Sequence, residues 1–134
     1  MELISEITFG LNSTPITYSN SIDKLYDWAD LVICRAGSTS ISELAKIGRA
    51  VILVPFPYAT DNHQFFNANY LAKNSAAILL EEKVEFIENF ITTVNIILND
   101  QKRLYMLSKN IQDALNNQIK IEAESSQIYL AMAC

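Results

Sequence analysis

The sequence LVICRAGSTSISELAKIGRAVILV, residues 31–54, contains two short apolar runs on either side of a helical segment. The first run, residues 31–34, is largely β-branched and ends at a glycine-containing turn, and the second covers residues 50–54. Continuous apolar runs of this kind are typical of strands buried on both faces of a sheet. Residues 40–47 predict the intervening helix, with Gly48 as its C-cap. The pattern is a βαβ unit, and it predicts an α/β fold with a parallel sheet.

The sequence on either side extends this pattern. Upstream, residues 16–18 predict a short strand, and an amphipathic helix follows with apolar residues at Ile22, Leu25, Tyr26 and Ala29. Downstream, Asp61 and Asn62 are expected to cap a helix that ends near Lys73, and residues 77–80 are expected to form another strand. The large aromatic residues of these two helices are expected in the core: Trp28, Phe65, Phe66 and Tyr70.

Two amphipathic helices are predicted after the last strand, with Asn99-Asp100 between them. The apolar face of the first is expected to contain Val84, Ile87, Ile91, Val94 and Leu98. That of the second is expected to contain Leu104, Leu107, Ile111 and Leu115. Residues 122–132 predict a further helix. Because no linker or internal repeat divides the sequence, residues 1–134 are interpreted as a single domain.

The composition excludes several classes of function. The chain has 134 residues, of which 50% are hydrophobic and 19% charged, and its net charge of -5 argues against nucleic acid as a partner. Its apolar runs are far shorter than the roughly 20 residues of a membrane span, and no secretory signal follows Met1. Two distant cysteines and one histidine predict no disulfide framework, no metal site and no cofactor. We therefore expect a cytoplasmic protein.

The first candidate ligand site follows the strand at residues 31–34. In open α/β sheets, ligands bind beyond the carboxyl ends of the strands, where helix N-termini present free amides to anions. Gly37 would permit a sharp turn and close backbone approach, and Ser38 and Thr39 would donate hydrogen bonds to a phosphate. The alternative is structural, because Ser40 and Glu43 have the spacing of a capping box that needs no ligand.

The second candidate site follows the strand at residues 50–54. Polar side chains suited to binding a hydroxyl-rich ligand are concentrated there: Asp61, Asn62, His63, Gln64 and Asn67. The alternative is that they are ordinary polar residues of a loop and a helix start.

Four motifs, in this order and spacing, resemble the MurG family of peptidoglycan N-acetylglucosaminyltransferases in glycosyltransferase family 28. They are YDWADLVICRAG at residues 26–37, SELA at 42–45, VPF at 54–56, and DNHQ at 61–64 with NA at 67–68. The likeness covers about residues 16–130. It implies part of the C-terminal, donor-binding domain of a two-domain GT-B enzyme, with a partial Rossmann-like sheet and C-terminal helices.

The resemblance implies UDP-N-acetylglucosamine as the ligand of this domain. Glu43 would accept hydrogen bonds from the ribose hydroxyls, and the amides of Ser38 and Thr39 would bind the diphosphate. Gly37 would allow the diphosphate to approach. The family places a lipid-linked acceptor on its other, N-terminal domain.

Four further residues match positions of the family that contact the sugar or the base. Gln64 would bind the sugar hydroxyls, and His63 stands beside it where some relatives have a second glutamine. Asn67 would support that loop. Ser19 matches the position whose backbone reads uracil.

The chain departs from the family pattern in length. It lacks counterparts of the acceptor domain and of the glycine-rich loop that begins the donor domain, so we expect an N-terminally incomplete domain in which no catalytic base can be assigned. The missing strands would leave residues 31–34 at a free sheet edge, open to pairing with a partner chain. After Gly48 the family usually has x-Pro, and Arg49-Ala50 here is expected to loosen the loop.

Three functions remain open from the sequence. The first is a transferase that moves N-acetylglucosamine onto undecaprenyl-pyrophosphoryl-muramyl peptide, converting lipid I to lipid II at the cytoplasmic face of the inner membrane. The second is a donor-binding subunit of a split enzyme that needs a separate acceptor-binding chain. The third is a non-catalytic relic.

Overall fold

The structure, a computed structural model, describes the backbone of residues 22–133 and most side chains between residues 24 and 117. The strand predicted at residues 16–18 and the uracil-reading position Ser19 lie outside this range. The elements are, in chain order, α1 (Ile22–Trp28), β1 (Leu31–Cys34), α2 (Ser38–Ile47), β2 (Ala50–Leu53), a 3₁₀ turn (Thr60–Asn62), α3 (His63–Lys73), β3 (Ile78–Leu79), α4 (Phe86–Leu98) and α5 (Gln101–Ala133).

The three strands form a parallel sheet in the order β1-β2-β3, which confirms the predicted α/β fold. The register pairs Leu31 with Ala50, Cys34 with Leu53, Ile52 with Ile78 and Leu53 with Leu79. Pairing continues one residue past β2 and β3, because Val54 N donates to Cys34 O at 2.9 Å and Leu80 N donates to Leu53 O at 3.0 Å. These bonds account for the longer strands predicted at residues 50–54 and 77–80.

Strand β2 is the centre of the core, and all four of its residues are buried. Its side chains alternate between the two faces of the sheet, as the pleat of a strand requires. Val51 and Leu53 belong to a cluster with residues of α1, α2, α3 and α5. Ile52 and Val54 pack instead with Phe86, Phe90 and Val94, so that α4 covers the opposite face. Because β2 is covered on both faces, its sequence is apolar throughout, without alternation.

Strand β1 is only half-buried along its length, although its apolar run predicted burial on both faces. The reason lies in its position, since among the described residues β1 pairs with β2 alone and forms the edge of the sheet. The predicted free edge at residues 31–34 is therefore present in the described part of the chain.

The two helices after β3 differ in how well their apolar faces were predicted. In α4 the buried residues are Phe86, Phe90, Val94 and Ile97. The predicted face is correct at Val94, which is buried, and at Leu98, which packs partly buried against the core. It is wrong in its first part, because Val84 precedes the helix and is 89% exposed, and Ile87 and Ile91 are exposed. In α5, Leu104, Leu107 and Ile111 are buried as predicted.

Helix α5 continues without a break to Ala133, so the separate helix predicted at residues 122–132 is instead part of one long helix. Within the described backbone, no helix combines the length and the apolar content needed to cross a bilayer.

The aromatic residues expected in the core are mostly outside it. Trp28 is 59% exposed, and the core residue of α1 among those described is Tyr26. Phe66 and Tyr70 are 61% and 48% exposed, because the buried side of α3 consists of Ala68 and Leu71. Size and apolarity alone did not reveal which side of each short helix meets the sheet.

Gly48 ends α2 as predicted. Its φ of 77° is left-handed, and its amide donates to Leu44 O at 2.8 Å. A Cβ at this position would lie 2.5 Å from the Gln112 side chain of α5, so the glycine also permits close packing of two helices. In the loop that Arg49-Ala50 is expected to loosen, Arg49 contacts α1: its Nε donates to Tyr26 O and its Nη2 donates to Asp27 O, both at 2.9 Å.

Candidate functional site

The two candidate segments lie at the same end of the sheet, where the strands have their carboxyl ends. Residues 35–37 connect the carboxyl end of β1 to α2, and residues 54–59 connect that of β2 to the 3₁₀ turn and α3. Because β1 and β2 are parallel neighbours, their carboxyl ends are adjacent. The fold therefore brings both predicted segments to the carboxyl ends of the strands, which is where α/β sheets bind ligands.

The first segment presents the N-terminus of α2. Gly37 is the N-cap residue, and its carbonyl accepts the first helical hydrogen bond, from Ile41 N at 3.0 Å. Ser38 and Thr39 follow it as exposed residues of the first turn. The amides of a first helical turn have no acceptor within the helix, so they are available to an anion.

Gly37 has a different role from the predicted sharp turn. Its φ of -71° and ψ of 143° are extended values that any residue adopts, so the turn that Gly37 was expected to permit does not depend on glycine. A Cβ at Gly37 would meet nothing within 4 Å among the described atoms. Among the described residues, the glycine therefore leaves open space beside the N-cap of α2, and the expected close approach of a ligand there stays a prediction.

The capping-box alternative is wrong. Helix α2 begins at Ser38, two residues before the predicted start, so Ser40 lies inside the first turn, and no side chain caps Gly37. The Ser40 hydroxyl is hydrogen-bonded to the phenol of Tyr26, which attaches α2 to α1. Glu43 is half-buried one turn further along, near enough to the Tyr26 phenol to contribute to its raised pKa.

The second segment is connected to the first by side chains of α3. Asn67 Nδ2 donates to the carbonyl of Ala36 at 3.2 Å. Gln64 Oε1 accepts a hydrogen bond from the main-chain amide of Phe56 at 2.9 Å. Both side chains are half-buried. Asn67 thus holds the loop after β1, and Gln64 holds the loop after β2.

The start of α3 has an unusual backbone. Asp61 and Asn62 adopt left-handed conformations, with φ of 55° and 56°. Asn62 occupies the N-cap position as predicted, but its side chain makes no capping hydrogen bond. His63 is the first residue of α3 and is exposed, with its Nε2 3.9 Å from Asp61 Oδ2. The turn thus places polar side chains on the surface beside Gln64.

Arg35 is the residue that sequence reasoning did not single out. Its Nη1 lies 3.4 Å from the carbonyls of both Val54 and Pro55 and 2.5 Å from Glu82 Oε1. Its guanidinium carbon lies 5.5 Å from the centre of the Phe56 ring. The sequence signal for this ion pair was available: Arg35 directly follows one predicted strand, and Glu82 shortly follows another. Parallel strands bring such positions together.

Two titratable side chains below the site are held neutral. Burial raises the pKa of the Cys34 thiol to about 12, so it is protonated and unreactive at neutral pH. Burial also raises the pKa of the Tyr26 phenol, and the nearby Cys34 and Glu43 add to the effect. In the part of the chain that the structure describes, no group of three or more His, Cys, Asp or Glu side chains is arranged to hold a metal ion.

These features allow a defined kind of recognition. An uncapped helix N-terminus with open space in front of it suits a phosphate group. A half-buried carboxylate on the same helix suits a vicinal diol, and the amide side chains of α3 suit hydroxyl groups. Ser19, the remaining predicted position, lies outside the described residues.

Comparison with known proteins identifies the family of this chain. The sequence profile described as the glycosyltransferase family 28 C-terminal domain matches residues 4–127. The UDP-N-acetylglucosamine--N-acetylmuramyl-(pentapeptide) pyrophosphoryl-undecaprenol N-acetylglucosamine transferase of Lawsonia intracellularis is 46% identical over 88 residues, covering 63% of this chain and 24% of that protein. The protein of the same name from Francisella philomiragia is 37% identical over 115 residues, covering 86% and 30%.

A solved structure shows the same fold. The crystal structure of Acinetobacter baumannii MurG matches with a TM-score of 0.62 and 29% sequence identity, over 73% of this chain and 28% of that chain. The chain therefore spans about a quarter of the length of the relatives it matches. The profile covers nearly the whole sequence, and the relatives carry the name that the four motifs predicted. The chain belongs to the glycosyltransferase family 28 C-terminal domain family, and the relatives named above, to which it is similar, are MurG transferases.

Proposed function

We propose that this chain supplies part of the UDP-N-acetylglucosamine site of an N-acetylglucosaminyltransferase that converts lipid I to lipid II. One observation carries the proposal: among the described residues, no side chain caps the N-terminus of α2, and the space around Gly37 there is open. The names of the relatives support the choice of donor and of a pyrophosphoryl-undecaprenol acceptor. With that acceptor, the reaction belongs at the cytoplasmic face of the inner membrane.

In the proposed complex, the amides of Ser38 and Thr39 bind the diphosphate and Glu43 binds the ribose hydroxyls. Gln64 and His63 contact the sugar, and Asn67 holds the loop between them and Gly37. The reaction is an inverting displacement at the anomeric carbon, in which the bond from that carbon to UDP breaks as the acceptor hydroxyl attacks. The positive end of the α2 dipole stabilises the negative charge that develops on UDP.

The acceptor and the base that deprotonates it are assigned to no residue of this chain. The match covers only about a quarter of each relative's length, and we propose that a domain corresponding to the rest of that length receives the lipid-linked acceptor. In this proposal, residues 1–134 act as one incomplete donor domain.

A second candidate is a donor-binding subunit that works with a separate acceptor-binding chain. It is favoured by the edge of the sheet at β1, where half-buried apolar residues have no strand partner beyond β2 in the described range. A partner chain pairing there would cover that edge. The two candidates differ in one result: in the split enzyme, this chain alone transfers no sugar to a lipid I analogue until the acceptor-binding chain is added.

The proposal is tested by calorimetric titration of the purified chain with UDP-N-acetylglucosamine, with UDP-glucose as the comparison ligand. We expect saturable binding that Glu43→Gln weakens about tenfold, the scale of a lost charge-assisted hydrogen bond. The matched control is Glu88→Gln in the first turn of α4, on the other face of the sheet, which should bind like the wild type. A folded wild-type chain that does not bind would refute the proposal and leave a non-catalytic relic.

A further inference from the structure

Arg35 connects the segments that follow all three strands of the sheet. It directly follows β1, and its Nη1 lies 3.4 Å from the carbonyls of Val54 and Pro55, which follow β2. The same nitrogen forms an ion pair with Glu82, which follows β3. One side chain thus contacts residues beyond the carboxyl end of each strand.

Arg35 is connected to both halves of the candidate site. Its chain neighbour Ala36 accepts the hydrogen bond of Asn67 and precedes the open N-cap of α2. Its guanidinium packs on the ring of Phe56, whose amide donates to Gln64. A shift of Arg35 would therefore move the α2 start and the α3 side chains relative to one another.

The chemistry of the contacts favours a fixed geometry. All three oxygen contacts are made by one nitrogen, Nη1, while the planar guanidinium packs over the Phe56 ring, and the ring contact and the ion pair together define the orientation of the group. Arg35 and Glu82 have side-chain exposures of only 30% and 32%, which limits screening of their ion pair by solvent. A lysine in the same place keeps the charge and loses the planar group that packs over Phe56.

We propose that Arg35 is a positioning residue that holds the loops after β1, β2 and β3 in one arrangement and so presets the donor site. This inference rests on the proposed function for its effect on ligand binding. The positioning itself can be measured without any ligand.

Two other roles for Arg35 predict different results. If the arginine only stabilised the fold, its removal would lower the thermal midpoint without a specific effect on the site. If it bound the diphosphate directly, neutralising its partner by Glu82→Gln would free the guanidinium and leave affinity unchanged or improved. A positioning role requires Glu82→Gln to weaken binding in the same direction as Arg35→Ala.

Arg49 provides a matched control at the opposite end of the sheet. Its side chain is also 30% exposed, donates to two carbonyls, Tyr26 O and Asp27 O, and pairs with the Asp27 carboxylate. It precedes β2 rather than following a strand, so it lies away from the candidate site. Arg49→Ala therefore removes a comparable set of contacts without touching the loops in question.

The experiment compares the wild-type chain with Arg35→Ala, Arg35→Lys, Glu82→Gln and Arg49→Ala. Amide hydrogen exchange is followed by NMR at Ile41 and Phe56, whose hydrogen bonds report the α2 start and the contact with Gln64. Affinity for UDP-N-acetylglucosamine and the thermal midpoint are measured on the same samples. Arg35→Lys and Glu82→Gln keep the test decisive if Arg35→Ala does not fold.

We expect Arg35→Ala to accelerate exchange at both amides about tenfold and to weaken the ligand by about the same factor. Arg35→Lys and Glu82→Gln should show smaller effects of the same sign, and Arg49→Ala should lower only the thermal midpoint. Unchanged exchange in the Arg35 variants, or unchanged affinity in Glu82→Gln beside a large loss in Arg35→Ala, would overturn the proposal. If the wild type binds no UDP-sugar, the proposed function fails, and the exchange data alone decide whether Arg35 positions the loops.

Discussion

Asn67 on α3 donates a hydrogen bond from Nδ2 to the carbonyl of Ala36, 3.2 Å away, and so connects two segments that are 31 residues apart in the chain. Ala36 is fully buried and immediately precedes the N-cap of α2. The hydrogen bond therefore connects the segment that begins α2 to a side chain of α3.

Asn67→Ala should weaken UDP-N-acetylglucosamine binding and lower the free energy of unfolding by about 1–3 kcal/mol, because it leaves the buried Ala36 carbonyl without this donor. Asn110→Ala is the matched control, since Asn110 Nδ2 also donates to a distant carbonyl, Ser75 O at 2.9 Å, at an exposed position. The control should keep wild-type affinity and lose less stability. Equal effects of the two substitutions, measured by urea denaturation and calorimetry, would contradict this role for Asn67.

The two glycines that flank α2 should respond differently to substitution by alanine: one variant should lose ligand affinity and the other should lose stability. Gly37→Ala should fold normally, since the added methyl group meets nothing within 4 Å and φ is -71°, yet it should weaken UDP-sugar binding by filling space in front of the helix start. Gly48→Ala should cost at least about 1 kcal/mol of stability, because φ is +77° and the methyl group would lie 2.5 Å from Gln112. Thermal denaturation and a UDP-sugar titration check the pair. A Gly37→Ala chain that binds normally would show that the ligand does not approach there.

The buried thiol of Cys34 should make the fold sensitive to alkaline pH. Its pKa is raised from 9.0 to about 12, so above pH 9 the unfolded chain loses a proton that the folded chain retains. Deprotonation then favours unfolding, and this contribution to stability falls progressively between pH 9 and pH 12. Tyr26, whose pKa is also raised, should add to the loss.

The comparison for this prediction is the Cys34→Ala variant, measured in a Cys134→Ser background together with its parent. Its unfolding free energy should decline less steeply over the same pH range, even though it starts lower because of the smaller side chain. Alkylation of Cys34 by iodoacetamide at neutral pH should be slow in the folded parent. Rapid labelling, or identical alkaline limbs of the two curves, would contradict the raised pKa.

Ile52 at the centre of β2 should be among the most costly residues to truncate. It is fully buried between the sheet and α4, so Ile52→Ala should lose about 2–5 kcal/mol through the lost burial and the cavity left behind. Ile96 on α4 is 53% exposed, and Ile96→Ala should change stability by less than about 0.5 kcal/mol. Denaturant unfolding of both variants checks the assignment of the core. Similar losses at the two positions would contradict it.

The core of the fold was predictable because its signals are local and redundant. Both apolar runs, the turn after the first and the C-cap at Gly48 can each be recognised within a few residues, and together they predict parallel pairing. The family motifs are likewise continuous in sequence, which is why the family could be predicted before the fold was known. The apolar face of α5 was also correct, because helical spacing over several turns leaves little freedom of choice.

The errors occur where a short helix could turn either side to the sheet. Trp28, Phe66 and Ile87 are apolar, but the direction in which α1, α3 and α4 pack exposes them. The start of α2 was misplaced for a related reason: serine is an efficient cap, and only the neighbouring Tyr26 reveals that the Ser40 hydroxyl is used elsewhere.

The amino-acid sequence was sufficient for the fold class, the order of the elements and the family, because strand and helix periodicity and motif spacing depend on residues close together in the chain. The half-burial of β1, the open space at Gly37 and the contacts of Arg35 with Val54 and Glu82 required the folded structure. Each depends on which distant segments the sheet brings together, and the distances that decide the site are distances between loops that are far apart in sequence.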